Sequence, residues 1–361
     1  MPCRIAVIGT GRFGLQHLRT FRQMTWRGQA VLAAACDVGE PAWFEGLCQK
    51  FGCRGYRDYR EMLEKEDLDA CTVVTPDHLH REMAVACLEA GKHVLVEKPL
   101  DTTVEGCQAI IDAAADAGKL LMVDFHKRLD PYHLEMRRMI AEGEIGRVQY
   151  GYAHMEDRIE VPRDWFGWVG DSSPAWFLGV HFYDLARFLM GGPCATRVYA
   201  TGVKDKLKSL GKDTFDSIQA KVAFDNGAHL TFDTSWVLPD GFEAIVNQAI
   251  RLVGTEGVVE CDSQDRGTRT CTARDGMSTH NPSFFREGRD AQGRPLYEGY
   301  GIESIAQFAH NVNALLEGAS LDDLGDYPSG QDGLEATRIA QGVHQSIETG
   351  QLVEVSTAGR P

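Results

Sequence analysis

The sequence predicts an α/β chain. Its N-terminal domain is a doubly wound parallel sheet, and its C-terminal domain is built on a large, mostly antiparallel open sheet. Three observations carry this. The apolar run Ile5-Ala6-Val7-Ile8 leads straight into Gly9-Thr10-Gly11-Arg12-Phe13-Gly14, a Gly-x-Gly-x-x-Gly turn. Strand-like and helix-like runs then alternate up to residue 124, as parallel strands joined by helical crossovers require. After Phe125 the alternation stops and strand patterns follow one another, with Asn226-Gly227 as a hairpin signal between two of them. The domains are therefore expected at residues 1–124 and 125–361.

In order, first-domain strands are expected at 5–8, 31–37, 70–74, 93–96 and 120–123. Helices fall between them near 12–24, 41–51, 59–64, 79–90 and 104–117, with Gly91 and Gly118 as C-terminal stops. The second domain opens with a helix near 131–142, a strand at 148–158, a Trp- and Pro-rich loop at 162–174 and a helix near 178–190. Strands follow at 196–203, 216–224, 228–235, 250–253 and 258–261, and helices near 302–316 and 334–349 finish the chain. Helices on one sheet face leave the other free, so a homodimer or homotetramer through the C-terminal sheet is expected by analogy.

The glycine turn carries chemistry. The first glycine makes the tight turn, the second lets the backbone approach a pyrophosphate, and the third lets the helix pack against the strand. Gly9, Gly11, Arg12, Phe13 and Gly14 are thus candidate dinucleotide contacts. Asp37 ends the second strand pattern, where a carboxylate accepts hydrogen bonds from ribose hydroxyls and repels a 2′-phosphate. No Arg or Lys follows it before Lys50, which favours NAD over NADP. The competing role for an acid there is to cap the next helix.

Composition narrows the class. The 361 residues are enough for two cores, and 43% hydrophobic with 25% charged residues is ordinary for a globular protein. A net charge of −15 argues against nucleic acid or an anionic membrane as partner. No run of 18 apolar residues occurs and the chain enters a strand at once, so neither a membrane span nor a signal peptide is expected. Ten scattered cysteines without a Cys-x-x-Cys pair fit reduced thiols in a cytoplasmic protein. No metal site is expected: His78 and His80 are two apart, and no ligand cluster has metal spacing.

Two further segments stand out. Val94-Leu95-Val96-Glu97-Lys98-Pro99 reads as a buried strand ending in a polar pair. Ligands of open α/β sheets sit at that end, where a Lys can donate to a substrate hydroxyl or simply end the strand at the surface. In the 176–189 segment, helical spacing puts Phe177, His181, Asp184 and Phe188 on one side. A lone His on such a face is more often a satisfied core residue than a base.

Taken together, the glycine turn, Thr75-Pro76 with His80, Glu97-Lys98-Pro99 and Gly179-x-His181-x-x-Asp184 resemble the Gfo/Idh/MocA oxidoreductase family, the group of glucose–fructose oxidoreductase and inositol 2-dehydrogenase. Asp130-Pro131, Gly143-Glu144-Ile145-Gly146 and the helix at 329–347 extend the resemblance over nearly the whole chain. It implies a Rossmann domain, a second α/β domain and an active site in the cleft between them. Lys98 matches the catalytic lysine and His181 the acid/base histidine. Thr75, Pro76, His80 and Glu97 match positions lining the cofactor, and Arg128 matches a basic residue facing substrate or cofactor.

The implied reaction is hydride transfer between a ring secondary alcohol of a sugar, sugar derivative or cyclitol and nicotinamide. His181 takes the hydroxyl proton and Lys98 steadies the developing alkoxide. One departure matters. Many members carry Asp one helical turn before the histidine, and this chain has Phe177. Asp184, Asp171 and Asp164 are the acids nearby, and Trp165, Trp168, Trp176 and Tyr152 are either sugar platforms or packing. The fold also hosts NAD-dependent glycosidases acting by transient oxidation, and the family contains a non-catalytic dinucleotide-binding regulator, so both readings stay open.

Overall fold

A computed structural model of the chain describes residues 1–262, 267–274 and 276–355. It divides into two compact units, residues 1–129 with 284–334, and 130–283 with the residues from 335 onward.

In the first unit, β1 (Cys3–Ile8), β2 (Ala30–Cys36), β3 (Arg54–Tyr56), β4 (Ala70–Val73), β5 (His93–Val96) and β6 (Leu121–Val123) form an all-parallel sheet ordered β3-β2-β1-β4-β5-β6. The order reverses beside β1, and open sheets of this kind bind ligands beyond the strand ends at that point. α1 (Gly14–Trp26), α2 (Pro41–Phe51), α3 (Tyr59–Lys65), α4 (His80–Glu89) and α5 (Val104–Ala117) are the crossovers. They leave β1, β4 and β5 buried, which is why those strands read as short unbroken apolar runs. β3 escaped the sequence pattern because Arg54-Gly55-Tyr56 is a short, polar edge strand.

The second unit contains α6 (Pro131–Ala141), β7 (Val148–Arg158), α7 (Val180–Leu189), β8 (Ala195–Val203), α8 (Lys206–Ser209), β9 (Ser217–Phe224), β10 (His229–Leu238), β11 (Val246–Gly254), β12 (Val258–Asp262), β13 (Thr268–Thr272) and β14 (Gly276–His280). Asn226-Gly227 forms the expected turn, with the Phe224 amide donating to the Ala228 carbonyl at 2.9 Å. β15 (Arg286–Arg289), β16 (Pro295–Glu298) and α9 (Tyr300–Leu316) belong to the first unit. α10 (Gly330–Thr349) starts in the first unit and continues in the second, and β17 (Val353–Glu354) pairs with β8.

The second sheet runs β12-β11-β7-β10-β9-β8-β17 and is antiparallel except for β7 beside β10. Side chains alternate along β7: Gly151, Ala153, Met155 and Asp157 are buried, and Tyr150 and Tyr152 are exposed. α7 covers the buried face, where Tyr183 meets Phe232 edge-on at 5.0 Å.

The single boundary expected after residue 124 does not describe this path. Residues 125–129 and 284–334 pack with the first unit. Ile305, Phe308, Ala309 and Val312 of α9 share its core with Ile5, Val7, Leu18 and Phe21, and the Cys3 amide donates to Asn313 Oδ1 at 2.8 Å. An amphipathic helix pattern says which face is apolar, not which sheet covers it.

Candidate active site

The glycine turn is built as its chemistry requires. Gly9 sits at φ +92°, a conformation L side chains rarely adopt, and a Cβ there would overlap the Val74 carbonyl. A Cβ on Gly14 would overlap the Gly9 carbonyl, so the third glycine lets α1 start against the strand end. Gly11 is exposed, and its missing Cβ faces open space with no atom within 4 Å. An open cradle is thus left at the N-terminus of α1, where helix amides face an anion. Arg12 is exposed on the same turn, and Phe13 stacks on His126 at 5.9 Å.

Asp37 stands beside the turn. Its Oδ2 accepts from the Thr10 amide at 2.6 Å and the Thr10 hydroxyl at 2.7 Å, and its Oδ1 accepts from the Gly39 amide at 2.6 Å. A carboxylate takes about four donors, so capacity remains for a ribose hydroxyl. Asp37 does not cap α2; Glu40 does, accepting from the Ala42 and Trp43 amides at 3.1 and 2.6 Å. Arg57, beyond Lys50 in the chain, donates to the Val38 and Gly39 carbonyls at 2.6 Å each. It holds the loop after Asp37 from the β3 side, and only strand pairing brings it there.

His80 ties two motifs together. Its Nε2 lies 2.9 Å from the Thr75 carbonyl and its Nδ1 lies 2.7 Å from the Pro99 carbonyl. Thr75-Pro76 after β4 and Glu97-Lys98-Pro99 after β5 are thereby fixed side by side. The Lys98–Pro99 peptide is cis, and Glu97 and Lys98 are both buried. Arg128 pairs with Asp332 at 2.9 Å, and His126 lies among Phe13, Phe284 and Tyr300.

Sequence reasoning missed His17 and Asp124. His17 from α1 lies 3.1 Å from Glu97 Oε1 and 3.9 Å from Asp124 Oδ2. Burial pushes the carboxyls of Glu97 and Asp124 up and the His17 imidazole down. The signals were present as a His two residues past Leu15, the first apolar position of α1, and an acid after the end of β6, but nothing in spacing joins them.

In the second unit, His181 and Asp184 are buried on α7, one turn apart. Phe177 packs among Phe166, Trp168 and Trp236 with ring centroids 5.2, 6.2 and 5.9 Å away, and Trp165 meets Phe166 at 6.4 Å. Position 177 is therefore part of an aromatic cluster. Asp164 is exposed and paired with Arg163 at 2.7 Å, and Asp171 is exposed. Trp176 is packing, stacked on His344 at 5.1 Å and 11°. Tyr152 lies on the sheet face away from α7, its hydroxyl donating to Asp233 at 2.8 Å, and that removes it as a platform beside His181. Lys98 and His181 belong to different units.

A six-stranded parallel sheet in this order, with a glycine cradle at the switch point and an acid at the next strand, defines an NAD-binding Rossmann oxidoreductase. The family model "Oxidoreductase family, NAD-binding Rossmann fold" matches residues 3–125, and "GFO/IDH/MocA C-terminal domain" matches residues 133–260. The chain belongs to the Gfo/Idh/MocA family. It is 28% identical over 365 residues to inositol 2-dehydrogenase 2 of Saccharopolyspora erythraea, covering 100% of this chain and 98% of the relative. It is 28% identical to D-glucoside 3-dehydrogenase of Escherichia coli strain K12, covering 68% of this chain and 74% of the relative. The solved myo-inositol 2-dehydrogenase of Lactobacillus plantarum shares the fold at a TM-score of 0.78 and 20% identity, over 99% of this chain and 100% of that one. Among the described residues, no helix is long and apolar enough to cross a membrane.

Proposed function

We propose that this protein is an NAD-dependent dehydrogenase of a sugar, sugar derivative or cyclitol, acting on a ring secondary alcohol. The observation that carries the reading is the fixed pairing of Thr75-Pro76 with Glu97-Lys98-Pro99 beyond the switch point, through His80. It supports Lys98, which follows β5, as the cation at the carboxyl end of the sheet. Relatives named as inositol and glucoside dehydrogenases support the substrate class.

Gly9, Gly11, Gly14 and the first amides of α1 would hold the pyrophosphate, with Arg12 and Phe13 beside it, and Asp37 would hold the adenosine ribose. Bound NAD supplies the hydride acceptor. Lys98 donates to the substrate oxygen and stabilises it as the alkoxide develops. His181 accepts the hydroxyl proton, as an imidazole does near neutral pH. Arg128 and Trp165 are proposed to contact the substrate, and Asp184 to orient His181. The second unit is proposed to carry the substrate side of the site.

A homodimer or homotetramer through the second sheet belongs to the same proposal. Its face away from α7 runs across the register as Tyr199, Lys221, Thr231, Tyr152 and Arg251, a largely exposed amphipathic surface. Ten free cysteines, most of them buried, support a reducing cytoplasmic setting.

The test is a panel of sugars, sugar acids, cyclitols and glycosides with NAD and NADP, read by absorbance of the reduced cofactor. Reduction of NAD by a polyol is the expected result. Glycoside cleavage without net reduced cofactor, or tight NAD binding without turnover on any member, would contradict it.

A further inference from the structure

Beneath Lys98 lies a cluster that the proposed reaction leaves unused. His17 comes from α1, Glu97 from the end of β5 and Asp124 from the end of β6, with relative exposures of 0%, 5% and 2%. One nitrogen or oxygen from each lies within 4.8 Å of the other two. His17 Nε2 is at hydrogen-bond distance from Glu97 Oε1, at 3.1 Å. Around Asp124 stand His17 Nε2, 3.9 Å from Oδ2, the Ser304 hydroxyl and the Glu97 carboxyl. Ionised carboxylates only accept hydrogen bonds, so two buried negative charges side by side are costly. A proton on one of the two carboxyls supplies an O–H between them and removes the excess charge.

We propose that Asp124, Glu97 and His17 act as one proton-sharing unit, and that Asp124 and His17 are positioning residues for Lys98. The proposal rests on the reading of Lys98 as the group that meets the substrate hydroxyl. Its basis is geometric: α1 and the ends of the neighbouring strands β5 and β6 bring these three side chains together, and Glu97 directly precedes Lys98 in the chain. The charged surroundings agree. Burial raises Glu97, while the Lys98 ammonium pulls it down and Asp77, on the turn before α4, pushes it up. Burial and then the Glu97 charge raise Asp124, against His17 and the nearby Ser304 hydroxyl of α9. Burial lowers His17, so its ring is neutral and has one N–H to give. With the proton in place, one negative charge stands behind the Lys98 ammonium. When it leaves, a second charge draws the ammonium back toward the cluster and away from substrate.

A divalent metal ion would satisfy the same spacing. The hydrogen-bond length between His17 and Glu97 and the closure of all three groups from solvent favour the proton.

The experiment uses the full-length protein with the best substrate of the polyol panel, and compares Asp124→Ala, Asp124→Asn and wild type from pH 6 to 10. Asp124→Ala should lower kcat by about tenfold or more while KM for NAD stays within about twofold. Asn keeps a permanent N–H donor where the shared proton sits. Asp124→Asn should therefore recover most of the loss and move the alkaline limb of kcat up by about one pH unit or more. Independently of activity, wild type at pH 6.5 should show the infrared C=O stretch of a buried protonated carboxylic acid, and Asp124→Asn should shift or weaken that band. Identical pH profiles for wild type and Asp124→Asn would overturn the positioning role. Absence of the carboxylic-acid band, or stoichiometric metal in the purified protein, would overturn the proton sharing. If Lys98→Ala instead keeps turnover, the reading of Lys98 fails while the infrared result still decides the cluster.

Discussion

Asp37 shows how a single residue divides its capacity. Three of its acceptor positions hold Thr10 and Gly39, which fixes the carboxylate beside the glycine cradle. In the proposed complex the remaining capacity would serve a ribose hydroxyl, and the charge would repel a 2′-phosphate. Asp37→Ala should raise KM for NAD by about tenfold or more and narrow the preference for NAD over NADP, because hydrogen bonds to a charged group are worth about 1.5–3 kcal/mol. Steady-state kinetics with both cofactors check this, and an unchanged cofactor ratio would remove Asp37 from the ribose site. The position of Asp37 beside the glycine turn was legible because it follows directly from the end of a strand. Arg57 was not, because strand pairing, rather than distance along the chain, carries it to the same loop.

At the scale of elements, the local pattern was readable and the long-range partner was not. The glycine turn, β1, β5 and β7 stand where apolar runs and turn residues put them. The helix now called α9 was also expected, but its assignment to the second domain was wrong in packing terms, since its apolar stripe covers β1 and α1. Phe308 is fully buried in that core. Phe308→Ala should cost about 3–5 kcal/mol, the usual penalty for such a cavity. Denaturant unfolding followed by a probe in the first unit measures it; a change under about 1 kcal/mol would mean that α9 contributes little to that core. The His17–Glu97–Asp124 cluster escaped for the same reason, as three elements distant in sequence supply one group each.

The whole molecule should feel that cluster as a pH-dependent stability. Burial lifts Glu97 to about 7 and Asp124 to about 8, above their ordinary values, so the folded state holds protons that the unfolded chain has released. Their contribution is complete at low pH and is lost as pH rises through those raised values. His17 and His93, both pushed down to about 4, act in the opposite sense but only below their ordinary value of 6.5. Between pH 6.5 and 8 the carboxyls act alone, and stability should fall with a slope of up to about 1.4 kcal/mol per pH unit for each proton. Thermal or urea unfolding across that window should show the fall in wild type and a shallower one in Asp124→Asn. A flat profile would show that these carboxyls ionise as ordinary ones.

The proposed function turns on the ammonium of Lys98 and the imidazole of His181 acting on one hydroxyl. The direct measurement is turnover and NAD affinity of Lys98→Ala and His181→Ala on the best polyol substrate. Each should lose about two or more orders of magnitude in kcat while binding NAD within about threefold of wild type, since both act on the substrate oxygen as charge develops. Turnover near wild type in either variant would contradict the role assigned to that residue, and in both would contradict the proposed chemistry altogether.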